Sequence, residues 1–197
     1  MYILGLTGSI GMGKSATAQM FRDFGIPVHD ADATVHQLMG PRGRATQQIE
    51  QIFPGSLQEN GAVDRQKLGG YVFGNAAELK QLEAILHPLV RAEEQKFLRL
   101  QRLHKKSLVV LDIPLLFETH GEKRCDGVAV VSASKSLQHR RVMARPGMTS
   151  DKFATILKKQ MADFEKRKRA DFVILSGNGY RMARNQVKRI IQQVCYG

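Results

Sequence analysis

The stretch GLTGSIGMGKSA, residues 5–16, decides the fold because it contains the pattern Gly-x-x-x-x-Gly-Lys-Ser from Gly8 to Ser15. It follows an apolar run, YILGLT, that is typical of a buried strand, and it precedes a helical pattern. Glycines let backbone N–H groups approach an anion closely, and the helix N-terminus adds positive charge. Lys14 can then reach the β- and γ-phosphates, and the Ser15 hydroxyl can ligate Mg²⁺. The loop therefore predicts a site for a nucleoside triphosphate, without identifying the acceptor.

Four further apolar segments indicate strands, and they are nearly continuous rather than alternating, as in strands covered on both faces. These are IPVHD (26–30), SLVVLDIP (107–114), GVAVVSA (127–133) and DFVIL (171–175). Helical patterns lie between the strands, and a last helix is expected at 180–195. The sequence thus predicts a P-loop three-layer α/β/α fold with a five-stranded parallel sheet.

The spacing of the strands is uneven, and this predicts two insertions into one domain that spans residues 1–197. About 75 residues separate the second and third strands, far more than a crossover requires. This first insertion, 33–104, is helical: Ala45, Ile49, Ile52 and Phe53 form one apolar stripe, NAAE at 75–78 resembles a capping box, and Pro88 fits the first turn of a further helix. The second insertion is 134–170, which leaves a core of 1–32, 105–133 and 171–197.

The second insertion carries much of the net charge of +12, with eleven Lys or Arg against three Asp or Glu between Lys135 and Arg169. Such charge favours an anionic partner: nucleic acid, a phosphorylated small molecule or an acidic membrane surface. We expect one helix over 149–164, with an inward face of Phe153, Ile156, Leu157, Gln160, Met161 and Phe164. Gln160 is the polar member of this face, and a buried amide needs hydrogen-bond partners, so it is expected to bridge the insertion and the core.

Other features of the sequence indicate where in the cell the protein is expected. No apolar run approaches the length of a membrane span, and no basic segment precedes an apolar one at the N-terminus, so we expect neither a membrane anchor nor a signal peptide. The two cysteines, Cys125 and Cys195, form no CxxC pair and indicate neither a disulfide framework nor a zinc site. A cytoplasmic location is therefore expected.

Two carboxylates, Asp30 and Asp32, follow the second predicted strand. Ligands of open α/β sheets bind beyond the carboxyl ends of the strands, where a carboxylate can accept a proton from an acceptor hydroxyl. An Asp at this position can instead cap the next helix. The residues alone leave open which of the two caps and which is free for chemistry.

Several classes of protein contain such a glycine-rich loop, and other patterns separate them. Neither an NKxD nor a DxxG motif follows the loop, and this argues against a switch GTPase. A P-loop kinase for a nucleotide or a small alcohol stays open, and a nucleic-acid-binding ATPase is the alternative from a different class. The chain has no Trp and four Tyr, so it lacks an obvious aromatic platform for stacking bases, and we expect no nucleic-acid partner.

An ordered set of short motifs closely resembles the dephospho-CoA kinase family. The motifs are GLTGSIGMGKS, HDAD, LHPLVR, LDIPLLFE, RVMARPGMT and QM followed by EKRKRADFVI, and they run from Met1 to the final helix. That family is similar in fold to nucleoside monophosphate kinases, so the resemblance implies that 33–104 is a substrate-binding domain and 134–170 a mobile lid. It also implies transfer of the γ-phosphoryl group of ATP to the ribose 3′-hydroxyl of 3′-dephospho-CoA, giving CoA and ADP in the last step of coenzyme A biosynthesis.

The resemblance also implies roles for individual residues. Asp32 would be the base that faces the ribose 3′-hydroxyl, Asp112 would lie near the metal or the P-loop, and Arg141 and Arg145 would be lid cations that act with Lys14. The residues expected at ATP are Gly8, Gly11, Met12, Gly13, Lys14, Ser15 and Ala16. Those expected on the substrate side are His87, Pro88, Leu115, Leu116 and Glu118.

The implied ligands are ATP, Mg²⁺ and a small-molecule substrate, and the expected assembly is a monomer or a weak homo-oligomer. Ser15 would ligate Mg²⁺ through its hydroxyl, and Asp112 is the other candidate metal ligand. The chain departs from the family at Ser9, where Gly is frequent, at Ala16, where Thr is frequent, and at Leu175–Gly179, which reads LSGNG where an Asp-Asn pair often follows the fifth strand. The contacts to adenine are therefore left open.

Overall fold

A five-stranded parallel sheet forms the centre of the computed structural model, which describes residues 1–196. The strands are β1 (Tyr2–Thr7), β2 (Val28–Asp30), β3 (Leu108–Asp112), β4 (Gly127–Ser132) and β5 (Phe172–Leu175), in the order β2-β3-β1-β4-β5. All five predicted strands are confirmed, although four of them are one to three residues shorter than expected. Pro27 and Pro114 lie outside the strands because proline has no N–H to donate to a sheet ladder.

The register of the sheet determines where the glycine-rich loop emerges. β1 lies between β3 and β4, with Leu6 beside Asp112 and Thr7 beside Val130. The loops after these three strands consequently leave the sheet at one edge. In an open parallel sheet, this edge at the point where strand order reverses is where ligands bind.

Nine helices are described, and along the chain they lie between the strands or follow the last strand. They are α1 (Lys14–Asp23), α2 (Ala31–Leu38), α3 (Thr46–Ile52), α4 (Arg65–Val72), α5 (Ala76–Leu103), α6 (Lys135–Met143), α7 (Ser150–Lys158), α8 (Asp163–Lys168) and α9 (Tyr180–Tyr196). The predicted C-terminal helix is confirmed as α9. Among residues 1–196, no helix combines the length and the apolar character that a membrane span requires.

One compact unit comprises Met1–His29 and Gln101–Gly197 and contains the core of the sheet. Its main apolar cluster joins alternate strand residues such as Leu4 and Val131 to α1 through Phe21 and to α9 through Val187. The opposite face of β1 is covered by Leu116, because a Cβ atom added at Gly5 would lie 2.8 Å from its side chain. The central strands β1, β3 and β4 are thus largely buried on both faces, which explains their continuous apolar character.

The second compact unit is Asp30–Leu100, and it has a separate apolar core. Ala45, Ile49 and Phe53 are fully buried there, as the stripe predicted, but Ile52 is 42% exposed. Asn75 accepts hydrogen bonds from the backbone N–H groups of Ala77 and Glu78 and so caps α5, as expected.

The expectation that Pro88 begins a new helix is wrong, because Pro88 lies inside the 28-residue α5. A proline in a helix interior removes one hydrogen bond and is normally costly. Here Leu86 before it and Leu89 after it both pack into the core of the second unit, so burial of one continuous apolar face maintains the helix across the proline.

The single helix expected over 149–164 is also wrong, because α7 ends at Lys158 and α8 begins at Asp163. Gln160 and Met161 lie in the break and make hydrogen bonds to other parts of the chain. Gln160 Oε1 accepts from the Ile10 N–H at 3.0 Å, which is the predicted bridge to the core. The Met161 N–H donates to Glu118 Oε1 at 2.7 Å, and this bond takes the place of a helical one.

Candidate active site

The loop between β1 and α1 has a backbone conformation that depends on glycine. Gly13 precedes α1 with φ of 93°, in the left-handed region that favours glycine. A Cβ atom at Gly8 would lie 2.7 Å from the carbonyl oxygen of Val131 on the neighbouring strand β4. The predicted strand–loop–helix context of the P-loop is therefore present, and the first N–H groups of α1 have no helical acceptor.

Lys14, in the first turn of α1, forms a short ion pair with Asp112 at the end of β3. Its Nζ lies 2.6 Å from Asp112 Oδ1, with 14% of the lysine side chain and 2% of the aspartate side chain exposed. Asp112 lies beside Leu6 in the sheet register, so the pairing of β1 with β3 fixes the position of Asp112 relative to the loop. Ser15 and Ala16 follow on the exposed side of α1.

Side chains from two later segments hold the backbone of the loop at Ile10. Gln138 of α6 donates from Nε2 to the Ile10 carbonyl at 2.8 Å, and Gln160 accepts from the Ile10 N–H at 3.0 Å. Both polar groups of one loop residue are thereby satisfied by amide side chains. These two bonds fix the backbone of the loop at Ile10.

Met12 is buried inside the loop and anchors its centre. Its Sδ accepts a hydrogen bond from the Ala133 N–H at 3.1 Å, and its carbonyl accepts from Ser176 Oγ at 2.6 Å. Arg141 of α6 joins this network, since its guanidinium donates to Ser176 Oγ at 2.9 Å, to the Ser176 carbonyl at 3.1 Å and to the Gly11 carbonyl at 3.4 Å. Arg141 therefore lies at the P-loop, whereas Arg145 is exposed beyond the end of α6.

The segment after β3 is tied to α8 by a buried ion pair. Lys166 is fully buried, and its Nζ lies 2.9 Å from Glu118 Oε1 and 3.4 Å from the Pro114 carbonyl. Thr7 Oγ1 donates to the same Pro114 carbonyl at 3.0 Å. The ion pair and the threonine together fix the conformation of 112–118, the segment that begins with Asp112.

The other residues of this segment predicted at the substrate differ in accessibility. Leu115 is 38% exposed, whereas Leu116 is fully buried against Gly5 and Gly121 and so anchors the segment. In the second unit, His87 and Pro88 lie next to each other on the exposed surface of α5.

The two carboxylates after β2 have different surroundings in the structure. Asp30 is the N-cap of α2, and its Oδ1 accepts from the Ala33 N–H at 2.9 Å. Asp32 lies in the first turn of α2 with its side chain exposed. Asp30 is therefore the residue that caps α2, a choice that the sequence alone left open.

Three residues of the site were not singled out from the sequence: Gln138, Lys166 and Ser176. An apolar run that ends in Glu118 implies a cation partner, because a buried carboxylate is costly alone. Eleven cations lie between Lys135 and Arg169, however, and the sequence offers no means of choosing Lys166 among them. Gln138 and Ser176 are ordinary polar residues whose importance comes only from the contacts they make.

Comparison with a family model and with individual relatives identifies the same family. The family model described as dephospho-CoA kinase matches residues 2–181. A dephospho-CoA kinase of Mesorhizobium japonicum is 54% identical over 194 residues, which cover 98% of this chain and 97% of the relative. One of Paramagnetospirillum magneticum is 61% identical over 167 residues, covering 85% and 78%.

The fold agrees with the sequence comparison. A solved structure of a dephospho-CoA kinase from Campylobacter jejuni aligns with a TM-score of 0.70 at 27% identity, covering 100% of this chain and 98% of that one. The resemblance found in the motifs is thus confirmed along the chain and in three dimensions. On these grounds, the chain belongs to the dephospho-CoA kinase family.

Proposed function

We propose that this protein transfers the γ-phosphoryl group of ATP to the 3′-hydroxyl of 3′-dephospho-CoA, giving CoA and ADP. The observation that carries the proposal is the glycine-rich loop, fixed at Ile10 and followed by Lys14, in a chain whose relatives are named dephospho-CoA kinase. Phosphoryl transfer needs positioning and charge stabilisation more than covalent chemistry, and a rigid loop of N–H donors supplies both.

On the donor side, the backbone of the loop and the first turn of α1 would hold the phosphates of ATP. This part of the site comprises Gly8, Gly11, Met12, Gly13, Lys14, Ser15 and Ala16. The hydrogen bonds that hold Ile10 keep the loop N–H groups oriented, so little reorganisation accompanies binding. Lys14 would leave Asp112 to contact the β- and γ-phosphates.

The residues at this edge also fit Mg²⁺, although residues 1–196 contain no cluster of three His, Cys, Asp or Glu side chains. The exposed Ser15 hydroxyl and the Asp112 carboxylate are oxygen donors, and Mg²⁺ is usually bound by one or two such groups together with substrate phosphates. When bound, Mg²⁺ would neutralise charge that develops on the phosphate oxygens. Asp112 would then exchange one cation partner, Lys14, for another.

On the acceptor side, we assign Asp32 as the general base. The 3′-hydroxyl oxygen forms a bond to the γ-phosphorus, the bond from that phosphorus to the ADP oxygen breaks, and the hydroxyl proton passes to the Asp32 carboxylate. Asp32 suits this role because Asp30 already serves as the helix cap. His87, Pro88, Leu115 and Glu118 would contact the acceptor, with Leu116 supporting the segment from below.

These assignments give each part of the chain a proposed function. Residues 33–104 would bind the substrate, 134–170 would form a lid, and 1–32, 105–133 and 171–197 would form the kinase core. The two cysteines are free thiols, which fits a cytoplasmic enzyme. We propose a monomer or weak homo-oligomer that binds no nucleic acid.

A mass-shift assay tests the function directly. The protein is mixed with ATP, Mg²⁺ and dephospho-CoA, and the product is analysed for one added phosphate and for its position on the ribose. Nucleoside monophosphates serve as competing acceptors, and turnover of ATP is also measured with RNA or DNA present. Transfer to a nucleotide instead, or hydrolysis that depends on nucleic acid, would replace the proposal with one of those activities.

The lid should become protected from amide hydrogen exchange when both substrates bind. Arg141 and Gln160 already contact the P-loop, so the segment between them is the part free to move. Like charges in this segment repel one another until ATP supplies negative charge, and closure then excludes water. Exchange across 144–158 should slow with ATP and an unreactive dephospho-CoA analogue, while β1 and β3 change little.

Substitution of Arg141 and Arg145 tests their proposed role as cations at the phosphates. Arg141→Ala and Arg145→Ala should reduce kcat more than they weaken dephospho-CoA binding, and Arg140→Ala, on the same helix as Arg141, is the matched control. Unchanged exchange at saturating ligand would mean that 134–170 is a static basic surface.

A further inference from the structure

Two side chains from outside the P-loop set the direction of the peptide groups on both sides of Ile10. Gln138 Nε2 donates to the Ile10 carbonyl at 2.8 Å, and Gln160 Oε1 accepts from the Ile10 N–H at 3.0 Å. Gln138 is only 5% exposed, so water competes little for its bond, and a hydrogen bond is stronger in such surroundings. Both peptide groups of Ile10 are therefore held by partners that are distant along the chain.

The direction of the Ile10 carbonyl also determines the direction of the next N–H, that of Gly11. In a planar trans peptide, the C=O group and the following N–H group point in opposite directions. Because the Ile10 carbonyl points toward Gln138 on α6, the Gly11 N–H points away from the amide of Gln138. The bond from Gln138 therefore acts on Gly11 as well as on Ile10.

The N–H groups on either side of the Gly11 N–H are already engaged within the protein. The Ile10 N–H donates to Gln160, and the Met12 N–H donates to the Ser9 carbonyl at 3.1 Å. Of residues 10–12, Gly11 is thus the one whose N–H can be offered to an anion. Its direction decides whether this half of the loop presents a donor to a phosphate.

The backbone at Gly11 does not by itself select one orientation of the Ile10–Gly11 peptide. Gly11 has φ of 78°, and rotation of the peptide by half a turn would bring this angle into the negative range. Glycine adopts positive and negative φ about equally readily. The rotated peptide would present a carbonyl oxygen to a phosphate, and the two would repel each other. The selection between the two orientations must therefore come from contacts such as the bond from Gln138.

The two glutamines act through opposite ends of their amide groups. A backbone carbonyl can only accept a hydrogen bond, so Gln138 must present its NH₂ group to Ile10. A backbone N–H can only donate, so Gln160 must present its oxygen. Each position consequently has a required polarity, and the required polarities are opposite at two positions that contact the same residue.

We propose that Gln138 and Gln160 are positioning residues for phosphoryl transfer, an inference that rests on the ATP-binding part of the proposed function. Gln138 holds the Ile10–Gly11 peptide so that the Gly11 N–H faces the phosphates of ATP. Gln160 holds the preceding peptide and prevents Ile10 from following a rotation. N–H donors that are oriented in advance stabilise the charge of the transition state without reorganisation. Neither glutamine contacts a reacting atom, and both act through the loop.

Two substitutions by glutamate test the required polarities. Gln138→Glu and Gln160→Glu add the same charge next to the same residue, so their electrostatic effect on ATP is matched. Gln160→Glu retains an oxygen acceptor for the Ile10 N–H, whereas Gln138→Glu places a carboxylate against the Ile10 carbonyl. The kcat of Gln138→Glu should be about 10–100-fold below that of Gln160→Glu, the effect expected when one hydrogen bond to a charged group is lost. Equal kcat values in the two variants would overturn the assignment.

A neutral substitution keeps the test decisive if Gln138→Glu does not fold. Gln138→Met has nearly the same length and removes the donor without adding charge, so kcat should fall while the KM for dephospho-CoA stays within about twofold of wild type. Gln186→Met is the matched control, because Gln186 binds both polar groups of Leu175, at 3.0 and 3.4 Å. The control should lose stability in thermal melting but keep its kcat. A Gln138→Met protein with wild-type kcat would contradict the inference.

Nuclear magnetic resonance of glycine amides observes the Gly11 N–H without any turnover. With an unreactive ATP analogue and Mg²⁺, the Gly11 amide proton should shift downfield in the wild type and in Gln160→Glu, because a charge-assisted bond to phosphate is strong. The shift should be absent in Gln138→Glu. A Gly11 amide that does not respond to saturating analogue in the wild type would refute the inference.

The outcomes separate this inference from the function on which it rests. A wild-type protein that shows the Gly11 shift but does not phosphorylate dephospho-CoA refutes the proposed acceptor and supports the positioning of Gly11. Normal phosphorylation of dephospho-CoA, with equal kcat in the two glutamate variants, refutes the inference alone.

Discussion

Replacing Lys14 with Met should lower kcat by about 10²–10³-fold, because the substitution removes a positive charge aimed at the transferred phosphoryl group. The methionine keeps most of the length of the lysine stem, so the packing at the start of α1 should be preserved. Steady-state turnover of ATP and dephospho-CoA measures the loss. A Lys14→Met protein with wild-type kcat would refute the assignment of the P-loop as the donor site.

Because Lys14 forms an ion pair with Asp112, its loss should affect stability as well as activity. A double variant separates the two effects. Loss of Lys14 removes an ion-pair partner of Asp112, which is 2% exposed, and breaking a buried ion pair can cost about 3–5 kcal/mol. Lys14→Met should therefore also lower the melting temperature. The double variant Lys14→Met/Asp112→Asn removes both charges and should regain stability but not activity. Recovery of activity in that double variant would show that the single substitution acted only through folding.

Asp32→Asn should reduce kcat by about 10²–10⁴-fold, the usual contribution of general-base catalysis. The amide has nearly the shape of the carboxylate but cannot accept the hydroxyl proton. The KM for ATP should hardly change, because the substitution leaves the phosphate-binding loop intact. Rapid-quench measurement of a single turnover would show whether the slow step is the chemical one.

Asp30→Asn is the matched control for Asp32→Asn. Asn is as good an N-cap as Asp, so the hydrogen bond from the Ala33 N–H to the capping side chain should be retained. We expect a small change in kcat and in melting temperature. If Asp30→Asn is the more damaging substitution, the roles of the two carboxylates are reversed.

The parts of this protein that could be predicted from sequence are those in which local pattern and tertiary contact agree. The central strands β1, β3 and β4 are largely buried on both faces, so their apolar runs were diagnostic. The P-loop depends on backbone geometry that only glycine adopts easily, so Gly13 and Lys14 were found from spacing alone. Which of Asp30 and Asp32 caps α2, by contrast, is shown by a hydrogen bond that no sequence pattern encodes.

The parts that could not be predicted are those in which distant contacts override local preference. Pro88 lies within α5 because the apolar residues on both sides of it are buried in one core. The break between α7 and α8 arises because Gln160 and Met161 bond to Ile10 and Glu118 instead of continuing the helix. In both cases the deciding partner lies far along the chain, at a position that sequence periodicity does not reveal.

If the P-loop holds ATP as proposed, the pairing of Lys14 with Asp112 makes nucleotide binding a competition between anions. The incoming ligand would have to displace a carboxylate 2.6 Å from the ammonium group, and both side chains are largely removed from water. We expect chloride or a single inorganic phosphate to gain too little from Lys14 to release it. A triphosphate that arrives with a divalent cation would offer the lysine a better partner and would also give the displaced carboxylate a new counter-ion. We therefore expect the loop to select a metal-bound polyphosphate before any contact with its base or sugar.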